Sequence, residues 1–479
     1  MTFFPVVLKS FDRRRKGLTP GRLVNVMLEK VEDPISARRT PLAIVSRPGL
    51  VEKTTLGGLC RGLYAEEGVQ GAALFAAAGQ SLHTLSDDYA ASLLGALAGA
   101  EPVTFDALRD DLVMRAGGEL KIYNGALTKV TDVDAPSAPS TLCTCALRGI
   151  AAEAAGDGFG WSLAGNFTSW PVDGFADDIY APDPIVAQAR SGDDFISFNA
   201  RSLQRWRPTG GAEAEAFAPI IGASVDVGLL GRECWARANG EIYFVSHQFI
   251  PHRIGSGAPA ELANETLSDA LGALSPSQRA SALAFPMEYG AALRHVGVTA
   301  PGLDRAFVFD ARFDLWAEWT RYGKPQFDLG FATRAYGAVH LSGPYTDKLY
   351  ALDAAAFSDA GDPIVRVITF HIPFGEDAAI DSLALDLQCH GQPLSGQGSS
   401  PTAMVRVSRN GGRTFEGAQE VELPPAGEFE QAPTLWGLGL FSRQHGAVIE
   451  LSISDPIGFS LRGAWVNDGM GADGAQTAA

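Results

Sequence analysis

The sequence predicts a mainly β protein: a β-propeller of about six or seven irregular blades, with a helical insertion and a C-terminal sandwich-like sheet domain. Three observations predict it. The chain has 479 residues, too many for one ordinary domain unless the architecture is a repeat or a propeller. Its 54 Gly and 28 Pro are spread along the whole length, which suits short strands and turns rather than long helices. Hairpin-like phrases recur from about residue 50 at an irregular spacing of roughly 40 to 75 residues, near the period of a four-stranded blade with insertions. With 46% hydrophobic and 19% charged residues there is ample material for a core.

Residues 1–50 read as an extended N-terminal arm, because Pro5, Pro20, Pro34, Pro41 and Pro48 break any helix there. The basic run Arg13, Arg14, Arg15 and Lys16 lies inside it, either a solvated patch or a contact with DNA or an acidic neighbour. Residues 51–380 read as the propeller-like domain. Its hairpins are an apolar run, a Gly or Asn turn and a second run, as in 71–85, 119–130, 194–206, 241–252, 305–316 and 348–353. Ala90–Ala100 reads as a short helix or a strand. Residues near 261–284 form the helical insertion: Leu262, Thr266, Leu267, Leu271 and Leu274 fall near helical spacing, and Ser275-Pro276-Ser277-Gln278 starts a second helix with Pro at its first position. Residues 381–468 carry strand patterns at 383–389, 403–408, 418–423, 434–440, 448–454 and 459–466, a C-terminal β domain. The small polar residues 469–479 form a flexible tail.

A formal net charge of −17 argues against a general nucleic-acid binder, whose bulk field must attract phosphate. It is compatible with a channel through which DNA slides without being held. Five scattered cysteines, Cys60, Cys143, Cys145, Cys234 and Cys389, make no disulfide framework and point to a reducing cytoplasm. The opening MTFFPVVLKSFDRRRKG places its charge after the apolar stretch, the reverse of a signal peptide. No run of about 18 apolar residues occurs, so no membrane span is expected.

The catalytic inventory is thin, and no enzyme activity, cofactor or metal is expected. There is no Gly-x-Ser-x-Gly elbow and no P-loop. The glycines Gly469, Gly471 and Gly474 match a dinucleotide fingerprint only in the tail, with no helix after them. His247 and His252 are five apart, and Cys143-x-Cys145 and Cys389-His390 lack second halves at ligand spacing. Acid pairs such as Asp87-Asp88, Asp110-Asp111, Asp177-Asp178 and Asp193-Asp194 point to opposite faces of a strand and read as turn or surface residues. Ser408-Arg-Asn410-Gly-Gly412-Arg-Thr414-Phe415 resembles the Asp box of sialidase-like propellers, a structural turn, in a single copy. It keeps a sialidase-like or glycan-binding propeller as an alternative. A cellular propeller scaffold is another.

The order of landmarks resembles the packaged-DNA stabilisation protein, or tail hub, of short-tailed podovirus phages. The phrases are Leu23-Val-Asn-Val-Met-Leu28, Ser46-Arg47-Pro48-Gly49-Leu50, Gly58-Leu-Cys-Arg61-Gly62 and Gly79-Gln-Ser-Leu82-His83. Further on come Phe159-Gly-Trp161 with Trp170, the hairpin 195–206, and Val308-Phe309-Asp310-Ala311 with Trp316 and Trp319. Ser408, Asn410, Gly411 and Phe415 form the last. Together they span about residues 20–467. The resemblance implies a structural virion protein without a catalytic site, made in the host bacterial cytoplasm and carried on the short tail. As a head-to-tail connector it would form a homo-oligomer, a ring of about six copies. That ring would extend the portal and adaptor channel, seat a tail needle or plug, and carry fibres or spikes. Double-stranded DNA would pass through without sequence-specific binding. Arg13, Arg14, Arg15 and Lys16 are interface candidates. So are Trp206, Trp235, Trp316, Trp319 and Trp436, each read as either core or interface anchor.

Overall fold

A computed structural model describes residues 2–5, 21–32 and 41–467, apart from 72, 179, 182, 290–292 and 429–431. Six antiparallel four-stranded meanders follow one another. Sheet 1 comprises Cys60–Tyr64, Leu74–Ala78, Ser81–Leu85 and Ala91–Ala96; sheet 2 comprises Thr104–Leu108, Asp111–Ala116, Glu119–Tyr123 and Leu127–Lys129. Sheet 3 comprises Cys143–Cys145, Arg148–Ala152, Gly158–Trp161 and Phe175–Asp177; sheet 4 comprises Ile185–Ser191, Asp194–Asn199, Leu203–Pro208 and Phe217–Pro219. Sheet 5 comprises Trp235–Ala238, Glu241–Val245, Pro251–Ile254 and Ala260–Glu261; sheet 6 comprises Leu283–Tyr289, Leu293–Thr299, Arg305–Asp310 and Leu315–Thr320.

Sheet 7 is completed from the other end of the chain. Phe331–Ala335, Ala338–Ser342 and Lys348–Asp353 are joined by Gly49–Thr55, antiparallel to Lys348–Asp353, with Ser358–Asp359 and Asp362–Pro363 beyond it. Gly49 is required there: a Cβ would lie 2.4 Å from the Ser358 carbonyl oxygen and 2.6 Å from that of Ala356.

The second strands show why the sequence reads as apolar runs rather than strict alternation. Leu74–Ala78 and Arg148–Ala152 are buried along their whole length, because each sheet has a neighbour on both faces. The fourth strands lie at the rim; Ala91–Ala96 is mostly exposed. Each pair of neighbouring sheets encloses its own core. Phe75 and Met114 meet between sheets 1 and 2, Ile122 and Trp170 between 2 and 3, and Ile150 and Phe195 between 3 and 4. Phe198 and Phe244 meet between 4 and 5, Tyr243 and Phe309 between 5 and 6, and Val308 and Leu341 between 6 and 7. The packing then returns to its start, with Leu349 of sheet 7 against Leu74 of sheet 1.

Between sheets 5 and 6 lie helix α1 (Glu265–Gly272) and helix α2 (Pro276–Ala280). Asn264 caps α1 by accepting from the Leu267 amide, and Leu267 and Leu271 enter the core between the two sheets. Pro276 opens α2 as the sequence predicts, and Ser275 and Gln278 add a capping box at its start. The stretch left open as helix or strand, Ala90–Ala100, contributes the strand Ala91–Ala96.

Two further sheets close the molecule. One runs Val26–Lys30, Leu42–Ser46, Gly458–Val466, Ala378–His390, Thr434–Phe441, with Thr2–Pro5 also paired to Gly458–Val466. The other runs Arg22–Val24, Arg366–Ile372, Ala447–Ile453, Thr402–Ser408, Gln419–Glu422. Ile44, Leu385 and Leu461 from the first pack on Ile368, Val405 and Ile449 from the second. The second sheet is continuous with sheet 6, because Arg22–Val24 lies parallel to Leu315–Thr320 and antiparallel to Arg366–Ile372.

This corrects two boundaries of the sequence reading. The described part of the expected arm, 1–50, is not a separate unit: its strands are members of the two C-terminal sheets, where their backbone groups find ladder partners. The C-terminal sheets begin at Arg366 rather than at 381, because Arg366–Ile372 pairs with Ala447–Ile453. The tail 469–479 lies outside the described residues.

Candidate functional site

The most elaborate polar site lies where the N-terminal strands, sheet 6, sheet 7 and the C-terminal sheets meet. Arg47 and Asp359 are buried at 2% and 0% exposure and form a two-pronged ion pair, Nη1 to Oδ1 at 2.9 Å and Nη2 to Oδ2 at 2.5 Å. Arg47 Nε donates to Asn25 Oδ1 at 3.0 Å, and its guanidinium lies 5.2 Å from the centre of the Trp319 ring. Asn25, in the left-handed region at φ 54°, donates through Nδ2 to Thr320 Oγ1 and to the Val365 carbonyl, both at 2.8 Å. Its Oδ1 accepts from the Thr320 amide at 2.9 Å. Arg366, also buried, donates to the carbonyls of Phe357, Asp455 and Ile364. Burial and the neighbouring Arg47 charge push Arg366 down to about 10. Around the rim, Glu318 receives Arg22 and Arg305.

A second distinctive surface is the edge strand Thr434–Phe441. Leu435, Leu438 and Phe441 point into the core, while Trp436 is 60% and Leu440 66% exposed. The same sheet carries the Phe3 and Trp465 rings, 4.8 Å apart. No described strand covers the outer edge of Thr434–Phe441, which leaves backbone groups open to pairing.

The interface candidates separate on this structure. Arg13, Arg14, Arg15 and Lys16 lie outside the described residues. Trp206 is buried against Phe159 and Phe195, Trp316 against Phe309, and Trp319 in the core between sheets 6 and 7. Of the two readings given for each, core or interface anchor, the folded chain places these three in the core, at 2%, 7% and 3% exposure. Trp235 is half-buried against the core between sheets 4 and 5. Trp436 alone of the named tryptophans presents most of its ring. Sequence reading singled out Arg47-Pro48-Gly49, the Leu23–Leu28 phrase that holds Asn25, and Trp319, but not their convergence; Asp359, 312 residues from Arg47, carried no signal.

The titratable groups weighed in the sequence are mostly buried or engaged. All five cysteines are free and buried; burial pushes Cys60 up to about 11 and Cys145, Cys234 and Cys389 to about 12. His247 Nδ1 accepts from the Gly228 amide, and the His252 ring faces the Ile250 carbonyl. Among the described residues no group of three His, Cys, Asp or Glu is placed to hold a metal ion. Nor is any helix long and apolar enough to cross a membrane. In the Asp-box-like turn, Asn410 Oδ1 accepts from the amides of Arg413 at 3.1 Å and Thr414 at 2.9 Å. That turn follows Thr402–Ser408, outside sheets 1 to 7.

Residues 30–310 match the family model described as Bacteriophage P22 Gp10, beta-propeller, a phage-stabilisation family. The chain belongs to that family. It is therefore a phage structural protein of a β-propeller family that stabilises packaged DNA. The matched stretch takes in sheets 1 to 5 and the first three strands of sheet 6. No curated protein matches the chain. Among solved structures, it resembles the extracellular domain of a putative hybrid two-component system from B. thetaiotaomicron, at 9% identity and TM-score 0.44. That likeness covers 81% of this chain but spans 47%, about half, of the other. The computationally designed Ika8 protein is matched at 10% identity and TM-score 0.39, over 64% of this chain and 100% of that one. Likenesses this low carry no argument about either fold or function.

Proposed function

We propose that this family member is the tail hub of a short-tailed phage: a connector that extends the portal and adaptor channel and seats the needle and fibres. In this reading sheets 1 to 7 are seven blades of one propeller, closed between sheets 7 and 1 by the N-terminal strand Gly49–Thr55. The chain divides into that propeller, the helical insertion on it, and a C-terminal sandwich that borrows its first strands from residues 22–46. The single observation that carries the reading is the family match across residues 30–310. The junction supports it, since a part that holds pressurised DNA must pass load between its domains without hinging, and a buried two-pronged ion pair is a rigid coupling. Copies assemble into a closed ring of about six. Trp436 and Leu440, on an edge strand, are the surface offered to the next copy.

Antibody to this chain, applied to intact particles and viewed by negative-stain electron microscopy, tests the placement. Label on the short tail at one vertex is expected. Label spread over the capsid, or none on particles, overturns the hub reading and leaves the family assignment in place. A glycan-binding propeller is the second reading. Its motivating motif is the single Asp-box-like turn, which lies in the C-terminal sheets rather than on a blade.

A further inference from the structure

No described strand covers the outer flank of Thr434–Phe441, yet two of its carbonyls are taken. The Arg409 guanidinium donates through Nη1 to the Leu440 carbonyl at 2.5 Å and through Nη2 to the Leu438 carbonyl. Those oxygens are two residues apart, the spacing at which one flank of a strand presents its groups to a neighbour. One planar fork therefore fills the places that the amides of an added strand would take. The guanidinium also lies 4.4 Å from the centre of the Phe441 ring, and its Nε donates to Glu416 Oε1 at 2.5 Å. The strand is irregular at the same place. Ile380 faces Gly439 and Ser382 faces Trp436, so Gly437 and Leu438 together oppose Asp381. A bulge of this kind is a second obstacle to pairing at an edge.

Arg409 comes from the other sheet of the sandwich. It follows the last residue of Thr402–Ser408 and is the second residue of the Asp-box-like turn. Ser408 Oγ accepts from the Gly412 amide and donates to Asn410 Oδ1, both at 2.9 Å, and Asn410 Nδ2 donates to Thr414 Oγ1 at 2.7 Å. The turn folds back until the Glu416 amide reaches the Val407 carbonyl at 2.8 Å, which sets the Glu416 carboxylate beside Arg409. Its geometry thus aims one arginine across the open side of the sandwich.

Without that arginine the flank would attract its own kind. Trp436 and Leu440 stand exposed on it, and a second copy presents the same strand, whose donors and acceptors match in antiparallel register. We infer that Arg409 blocks edge-to-edge pairing of two copies through Thr434–Phe441, and leaves this strand to meet a neighbour by the Trp436 and Leu440 side chains. Pairing of identical edges is two-fold and stops at two copies, whereas a closed ring of more copies needs a different patch on each side of the subunit. The ion pair with Glu416 is exposed and contributes little, so the block rests on the two carbonyl bonds. This goes beyond the hub reading, and it is tested without particles, so the two can fail separately.

The purified full chain is compared with Arg409→Ala by sedimentation velocity and by hydrogen exchange of Thr434–Phe441 over a range of protein concentrations. The variant is expected to dimerise at least about tenfold more tightly than the wild-type chain. Its edge strand should gain protection as concentration rises, because new backbone bonds form across the edge. Arg409→Lys keeps the charge and the stem but loses the planar fork. It should dimerise more weakly than the alanine variant, and it carries the test if that variant does not fold. Should Arg409 merely hold the strand in place, both variants will exchange faster at every concentration without dimerising, and that result overturns the proposal. Dimers that leave exchange in Thr434–Phe441 unchanged, or variants that behave as wild type, overturn it as well. Label on the tail in microscopy together with any of these results leaves the hub reading standing and removes this one.

Discussion

Sheets 1 to 5 each take their four strands from one unbroken stretch of chain, and the C-terminal sandwich takes its strands from both ends of the sequence. The first arrangement is local in the chain but leaves no sheet self-sufficient, since every core in the ring lies between two sheets. The second is non-local but encloses one large core of its own. The two meet in residues 22–55, whose strands serve the sandwich, sheet 6 and the closing sheet in turn. In the proposed propeller, the seam between sheets 7 and 1 and the sandwich depend on the same segment of chain. Local blades can form early, while the seam waits for long-range pairing.

That contrast can be broken most directly at the junction. Asp359→Leu leaves Arg47 buried without its partner and should cost about 3–5 kcal/mol, loosening seam and sandwich together. Hydrogen exchange should then show lost protection in Gly49–Thr55 and Arg366–Ile372, with Asp194–Asn199 of sheet 4 unaffected. The double variant Arg47→Met with Asp359→Leu should recover most of the loss. Failure to recover would mean that the pair does more than cancel its own charges.

Acid should act next, and at the seam. His340 of sheet 7 is fully buried beside Tyr89 of sheet 1, 3.0 Å from its hydroxyl, and burial with the nearby Lys53 charge pushes it down to about 4. The unfolded chain takes up this proton at a higher pH than the folded one. Its stability contribution is therefore complete above about pH 6.5 and declines as pH falls towards 4, by roughly 3 kcal/mol at most. His340→Gln should flatten the unfolding midpoint over that window; an unchanged slope would place the acid sensitivity elsewhere.

A smaller acid effect belongs to sheet 6. Burial works against ionised Asp310, but His295 at 3.2 Å and Arg312 at 2.8 Å hold it down at about 2. This contribution is present above the unfolded carboxylate value near 4. It fades as pH falls towards 2, by roughly 2 kcal/mol, and Asp310→Asn should remove that lower step from the pH profile. Smallest is the helix cap: Ser275→Ala loses the capping box of α2 and should cost about 1 kcal/mol, read as a lower midpoint with hydrogen exchange outside the insertion unchanged.

Much of the ring was legible because its elements are local. The Asp194–Trp206 hairpin, the Ser275 cap and the six late strands each carry their signal within a few residues, as turn chemistry, N-cap identity or alternation. The tryptophans were less legible. Trp206 and Trp436 look alike in sequence, yet one fills a core between two sheets and the other stands on an exposed edge. Local pattern gives the face of a strand, and only the neighbour across that face decides burial.

By itself, then, the sequence determined a mainly β chain of short antiparallel hairpins, a capped helical insertion before sheet 6, and a late block of strands, because turns, caps and periodicity are short-range properties. Tertiary structure alone decided that Arg22–Val24, Val26–Lys30 and Leu42–Ser46 join the C-terminal sheets, that Gly49–Thr55 joins sheet 7, and that Arg47 finds Asp359. Those pairings join residues hundreds of positions apart, where the stabilising contact exists only after the intervening chain has folded, so no local pattern encodes it.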